Sequence, residues 1–332
     1  MIRVRAPSRL HFGFLSLTTP ERWTNFEGQN VLPARAFGSV GLMIRNPGIQ
    51  VTVQPAEAWA AEGLLADRAL AYAQRLLDTI PPAVVQPLRL RVEHAALEHV
   101  GLGTGTQLAL VVGRALGIAF GQPHLDPVAL AGRLGRGVRS GIGVHGFIQG
   151  GFLVEGGKGS QQALPPLLAR LPFPESWRLV LVLPTDGLGL HGTKEHDAFQ
   201  TLQRRRIPPT TTDTLCRLVL LGMMPALAEE DWLAFGEAIY DFNARVGELF
   251  APFQGGKYSH RLGEELVPFI RRQGIFGVGQ SSWGPAFFAI TPDDDRAGDL
   301  IRRIRDRFDL GAAEVFSTQA SNEGAVTDVL TR

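Results

Sequence analysis

The chain has 332 residues, of which 45% are hydrophobic and 20% charged, enough to bury the cores of about two domains. Its 39 glycines and 22 prolines follow no collagen-like period and form no low-complexity tract, which excludes fibrous, coiled-coil and disordered classes. Lysine and arginine total 33 against 32 aspartates and glutamates, so the basic excess that general nucleic-acid affinity needs is missing.

Lys158, Lys194 and Lys257 are the only lysines. Phosphate groups on a ligand are therefore expected to meet guanidinium forks and backbone N–H groups. Cys216 is the only cysteine, which excludes an internal disulfide and a cysteine metal site; its place in the apolar run 215–224 predicts a buried, inert thiol. The first residues lack the apolar stretch of a signal peptide, and no run of 18 apolar residues occurs. The expectation is a soluble, cytoplasmic protein with small-molecule substrates and neither nucleic-acid nor membrane partners; a homodimer is left open.

Period-two alternation predicts strands at 2–5, 49–53 and 88–93. Between them, 58–79 has helical composition and ends at Pro81-Pro82, and 107–120 reads as a more apolar helix closed by Gly121. Asp126-Pro127 opens a further helix, an N-cap followed by proline at the first helical position. Prolines at 165–166 and 172–174 punctuate the middle, and 178–183 reads as a strand. Helical patterns follow at 212–227, 231–250 and 261–273, then a strand at 285–290 and a helix at 293–308 with acidic residues at its positive end. No internal repeat is visible. The chain is α+β, with a boundary near residue 173 dividing 1–172 from 173–332.

Four glycine-rich or small-residue segments stand out from this pattern. Gly101-Leu102-Gly103-Thr104-Gly105-Thr106 runs straight into an apolar helix that begins with Gln107. Glycines at a strand-to-helix junction let consecutive N–H groups and the helix N-terminus converge on one anion. The segment lacks the P-loop lysine, and Thr106 stands where a Rossmann fingerprint needs its third glycine. The other three are 6–13, 139–146 and 277–285, all read as loops.

Taken in order, these segments resemble the GHMP kinase superfamily, and the resemblance spans nearly the whole chain. Residues 7–12 match its N-terminal motif, 101–106 its phosphate loop and 277–284 its C-terminal glycine-rich loop. It implies a two-domain α+β fold, with a ribosomal S5 domain 2-like N-terminal domain and a ferredoxin-like C-terminal domain. Kinases of the superfamily that use an aspartate base carry it after Ser-Gly-Ile; here Ser140-Gly141-Ile142 is followed by Gly143. Ser-Arg-Leu-His-Phe-Gly at 8–13, Gly-Leu-Gly-Thr-Gly-Thr-Gln-Leu-Ala at 101–109 and Arg-Ser-Gly-Ile-Gly at 139–143 resemble one branch, the β-ribofuranosylaminobenzene 5′-phosphate synthases. That branch implies condensation of 5-phosphoribosyl 1-diphosphate with 4-aminobenzoate in tetrahydromethanopterin biosynthesis, with release of CO₂ and diphosphate and with Mg²⁺ as the metal. An ATP-dependent small-molecule kinase and a non-catalytic phosphate-ligand regulator are the alternatives.

The residues fit that chemistry. Ser8, Gly101, Gly103, Thr104, Gly105, Thr106 and Gln107 offer hydroxyl, backbone and side-chain groups to phosphates. Arg9 and Arg139 flank loops and suit bidentate contact with phosphate or carboxylate. His11 lies two residues after Arg9 on the same face of an extended segment, and His145 follows the glycine-substituted position; with the two arginines they form the candidate catalytic set. Ser140, Gly141 and His191 join the candidate binding set, as do Gln280, Ser281, Ser282 and Trp283, the last offering a stacking face. Glu195 is the candidate Mg²⁺ ligand.

Overall fold

In a computed structural model, the structure describes residues 1–17, 23–24, 27–28, 30–31, 35–79, 85–159, 164–187, 189, 192–205 and 207–330. In chain order the elements begin with β1 (Ile2–Phe14), β2 (Trp23–Thr24), β3 (Asn30–Val31), β4 (Ser39–Pro55), β5 (Ala60–Gly63), α1 (Ala66–Leu77), β6 (Leu88–His94) and α2 (Thr104–Ala119). Next come α3 (Pro127–Arg133), α4 (Ile142–Gln149), β7 (Phe152–Glu155), β8 (Leu167–Leu171), β9 (Arg178–Val182) and α5 (Gly192–Arg204). The remainder holds α6 (Pro209–Leu218), a π-helical turn (Val219–Met223), α7 (Met224–Ala228), α8 (Trp232–Gln254), α9 (Leu262–Arg272), β10 (Val278–Gln280), β11 (Phe287–Thr291), α10 (Asp294–Phe308), β12 (Val315–Thr318) and β13 (Val326–Val329).

The first sheet has the order β13-β1-β4-β6-β5, with β7 on β4 and β8 on β7. Its spine is the antiparallel pair β1–β4, which runs from Ile2↔Val53 to Phe14↔Ser39 with the register shifting between Ala6 and Ser8 and between His11 and Gly13. Helix α2 is apolar on nearly every side, with buried side chains from Thr104 to Leu116, and it packs on β1, β4, α1 and α4. That explains why its sequence shows no polar stripe.

The second sheet has the order β10-β11-β9-β12. Alternation along β9 sends Leu179 and Leu181 into one cluster, with Phe235, Ile239 and Phe242 of α8, and Val180 and Val182 into another, with residues of α9 and α10. The first of these clusters also holds Leu10, Phe12, Leu42 and Phe152 of the first sheet, so one core joins the two sheets. The division near residue 173 falls between β8 and β9, and the chain's last strand, β13, returns to β1.

Four expectations change. Residues 58–79 are not all helix: 60–63 pair in parallel with β6 as β5, and the helix starts only at Ala66 behind Leu65 in the left-handed region. Strand pairing here outweighs alanine's helix preference. The 212–227 helix breaks into α6, the π turn and α7; Pro225 has no N–H to continue the regular ladder. Segments 6–13 and 139–146, read as loops, lie within β1 and largely within α4. Cys216 is half-buried rather than buried, and partial burial, with Asp213 nearby, raises its pKa. The described helices include none long and apolar enough to cross a membrane.

Asn243 on α8 ties the two sheets together. Its Nδ2 donates to the carbonyls of Phe12 and Gln280, both at 2.8 Å, and its Oδ1 accepts from the Gln280 N–H at 2.9 Å. All three backbone groups are buried, and deleting the amide leaves them without partners. Asn243→Ala is expected to lower unfolding free energy by about 2–4 kcal/mol in denaturant titration.

Candidate active site

The site forms where β1, the loop before α2, the loop before α4, helix α5 and the loop after β10 meet. Gly101 and Gly103 make the turn into α2 possible. Gly101 has φ +93, and a Cβ there would collide with the Ser281 carbonyl oxygen. Gly103 caps α2 in the left-handed region at φ +73. Thr106 and Gln107 give their N–H groups to the Gly103 carbonyl, while those of Thr104 and Gly105, residues that line the cleft, have no intrahelical acceptor. Gly105 sits in the helix itself, with no positive φ; a Cβ there would stand 2.6 Å from Nη2 of Arg68.

The cleft has a volume of about 700 Å³ and continues into a recess of about 240 Å³. Among the described residues, four arginines line it: Arg9, Arg68, Arg136 and Arg139. Two carboxylates answer them, with Glu98 paired to Arg68 and Glu195 to Arg139 at 3.2 Å. The Arg139 guanidinium also lies over the Phe199 ring, 4.3 Å from its centroid. Arg68 and Arg136 share the Tyr72 hydroxyl, which holds their like charges side by side. Burial lowers Arg136 to about 10, with Arg68 pushing the same way and Glu195 opposing, and burial lowers Arg9 to about 10 despite Glu195 and Glu155. Both stay charged near neutral pH. The result is a net cationic cleft suited to a ligand with several phosphates.

The residues singled out from the sequence divide into two groups. Arg9, Gly101, Gly103, Thr104, Gly105, Thr106, Arg139, Glu195, Ser282 and Trp283 line the large cleft, and His11 and Ser140 line the recess. The Thr104 hydroxyl donates to the Leu97 carbonyl at 2.9 Å, leaving its backbone N–H as the group offered to a ligand. Trp283 is also a core ring, stacked on Phe250 with centroids 4.1 Å apart.

The second group supports the walls without lining them. Ser8 donates to the Pro47 carbonyl, Gln107 donates to the Gly143 carbonyl at 2.8 Å, and Gly141 gives its N–H to Glu155 at 2.6 Å. His145 bonds the Pro165 carbonyl through Nε2 at 2.8 Å. Gln280 accepts from the Ser259 N–H and donates to the Ser282 carbonyl. Ser281 accepts from the His11 N–H at 3.0 Å and donates to the Gly101 carbonyl at 2.7 Å. His191 lies outside the described residues. Among the described residues, no cluster of three or more His, Cys, Asp or Glu side chains is placed to hold a metal ion.

Sequence reasoning missed Arg68, Glu98, Arg136 and the buried Glu155. Arg136 left a signal: it stands between Gly135 and Gly137, both with positive φ, as in a turn built to present one side chain. Arg68 left none on the polar face of α1.

The GHMP kinases C terminal family matches residues 223–310. The beta-ribofuranosylphenol 5′-phosphate synthase of Archaeoglobus fulgidus is 32% identical over 99% of this chain and 100% of its own length. The chain belongs to the beta-ribofuranosylphenol 5′-phosphate synthase family. It is thus an enzyme of the synthase type. The relative of the same name from Methanothermobacter thermautotrophicus is 28% identical over 97% of each chain. Among solved structures, homoserine kinase from Cytophaga hutchinsonii superposes with a TM-score of 0.65 at 15% identity, covering 98% of this chain and 97% of its own. Mevalonate diphosphate decarboxylase from Staphylococcus aureus does so at 0.63 and 13%, covering 99% of each. These likenesses establish the two-domain α+β fold of the GHMP kinases.

Glu155 lies behind the synthase cleft with no exposed surface. Burial raises its pKa from the ordinary 4.5 to about 7, against the hydrogen bonds from Ser39, Ser140 and Gly141 and the charge of Arg9. A carboxyl whose pKa rises on folding stabilises the native state fully below its unfolded value, and that stabilisation is lost as pH rises toward the folded value. Between pH 5 and 8 the wild-type melting temperature is expected to fall relative to Glu155→Gln by on the order of 5 °C, read from scans at each pH.

Proposed function

We propose that this enzyme transfers the 5-phosphoribosyl group of 5-phosphoribosyl 1-diphosphate to the carboxyl-bearing carbon of an aromatic acid with a para hydroxyl or amino group. CO₂ and diphosphate leave. The observation that carries the reading is the four-arginine cleft built around the N-terminus of α2, with Gly143 where aspartate-dependent kinases place their base.

The bond changes ask for what these residues supply. The C–O bond between ribose C1 and diphosphate breaks, so negative charge grows on the leaving group; the N–H groups at 104 and 105 and the guanidinium groups of Arg68 and Arg136, which line one cleft, are the donors proposed to meet it. The ring carbon gives its electron pair to ribose C1, and the pair of the bond to the carboxylate then restores the ring as CO₂ departs. No proton is gained or lost overall, so the absence of an aspartate at 143 does not impede the reaction. Arg9 and Arg139 line both the cleft and the recess, a place suited to orienting the acceptor's carboxylate before it leaves.

The carboxylates that line the cleft fit a Mg²⁺ that arrives on the diphosphate better than a resident ion in a protein cage. Each is engaged by an arginine, and Mg²⁺ commonly binds through substrate phosphates with one or two carboxylates. Glu195 is the carboxylate proposed to share it, and the ion would add positive charge at the leaving group. The names of the relatives favour a hydroxyl on the acceptor, as in 4-hydroxybenzoate, while the sequence motifs point to 4-aminobenzoate and a place in tetrahydromethanopterin biosynthesis; direct competition between the two acids decides.

Incubation with 5-phosphoribosyl 1-diphosphate, Mg²⁺ and either carboxyl-labelled acid should release labelled CO₂. No release with either acid, together with ADP formation from ATP and a small alcohol, would replace this reading by a kinase. Gly105→Val pushes into the Arg68 guanidinium and the adjoining phosphate path. It is expected to raise the donor KM or lower turnover by about a hundredfold with the fold intact, checked by steady-state kinetics beside a melting curve.

A further inference from the structure

His11 is a buried side chain whose role the bond changes leave open. It is 2% exposed, and neither Nδ1 nor Nε2 has a hydrogen-bond partner in the protein. Its backbone is fixed on both sides: the N–H donates to Ser281, and the carbonyl accepts from the Ser282 N–H at 2.8 Å. The ring packs on Phe14, with centroids 4.6 Å apart. An imidazole held this rigidly, with both nitrogens unpaired, carries a cost of the kind proteins offset with a ligand.

The two cavities place that ligand. Arg9, Arg136, Arg139, Glu195 and Ser282 are among the residues that line both the cleft and the recess, whereas His11, Phe14, Ser140 and Gly143 line only the recess. If the ribosyl donor occupies the large cleft, the reacting carbon of the acceptor must face it, so the carboxylate stands at the junction beside Arg9 and Arg139. A planar ring then points its opposite end into the recess, toward His11. Gly143 matters here as well: a Cβ at that position would stand 3.2 Å from Thr106 Cγ2, so any larger side chain, an aspartate included, would narrow the recess.

We propose that the recess is the para pocket of the acceptor and that His11 accepts a hydrogen bond there from the acceptor's hydroxyl or amino group. Burial, reinforced by the Arg9 charge, keeps His11 well below its ordinary pKa, so the ring is neutral and has an acceptor nitrogen to offer. A hydrogen bond drawn from the para substituent increases its electron donation into the ring, which is what the carboxyl-bearing carbon needs to attack ribose C1. His11 thereby selects acids that carry a para donor, with no proton transferred in the net reaction.

This inference rests on the synthase reading, and the experiment separates the two. Equilibrium binding of 4-hydroxybenzoate and of 4-fluorobenzoate, which is similar in size but has no donor, is measured by calorimetry with diphosphate present, on wild type, His11→Phe and His11→Gln. Wild type should prefer the hydroxy acid by roughly 10–100-fold. His11→Phe should erase the preference and His11→Gln, which keeps an acceptor, should retain part of it, while affinity for 5-phosphoribosyl 1-diphosphate stays within about twofold of wild type in both. A wild type without preference, or a folded His11→Phe protein with its preference intact, overturns the proposal; should His11→Phe not fold, the wild-type and His11→Gln preferences decide. If the preference holds but no labelled CO₂ is released, the para pocket stands and the synthase reading falls.

Discussion

Three of the segments that build the site meet at the side chain of Ser281. Its hydroxyl accepts the His11 N–H and donates to the Gly101 carbonyl, so one oxygen joins β1, the loop before α2 and the loop after β10. The contact is close enough that position 101 admits no Cβ. Around it, the Ser282 N–H reaches the His11 carbonyl and the Ala286 N–H reaches the Val100 carbonyl. These bonds cross between the two sheets and lie under the cleft. These bonds fix the backbone at the entrance to α2 relative to both sheets, which favours electrostatic preorganisation of the N–H groups there.

Onto that floor the protein places cations that water would otherwise hold. Arg9 is buried beside Glu155 and within the field of Glu195, and these carboxylates offset part of the desolvation cost of its guanidinium. Arg68 and Arg136 are held side by side through Tyr72, an arrangement that repels itself and gains from an anion between or above the two. Glu98 and Glu195 moderate the charge without cancelling it. The same arginines whose mutual repulsion is costly make the cleft complementary to a polyanionic ligand.

Much of this was legible in the sequence where the cause is local. The glycines at 101 and 103 announce a turn because a residue without a Cβ adopts positive φ most readily and allows the close approach at 101, and the apolar run after them announces a helix buried on most sides. Arg9 and Arg139 were found from motif context, and both reach the cleft. What was not legible depends on pairing at long range. Arg68 joins the site because α1 packs on α2, and Glu155 is placed by β7 pairing with β4. Gln280, Ser281 and His145 have the polarity expected of a site, yet their hydrogen bonds run to backbone groups behind it, and only the tertiary structure distinguishes a wall from its support. Residues 60–63 have helical composition and form a strand because β6 offers them a parallel partner.

The N-terminus of α2 and its surrounding arginines are proposed to hold the phosphates of a ribosyl donor. A crystal structure of the enzyme with 5-phosphoribosyl 1-diphosphate and no acceptor tests it most directly. The diphosphate is expected against the N–H groups of residues 104 and 105, with Arg68 and Arg136 within hydrogen-bonding distance of its oxygens and ribose C1 facing the recess that His11 lines. Diphosphate bound elsewhere, with these arginines still turned to Tyr72, Glu98 and one another, would contradict it.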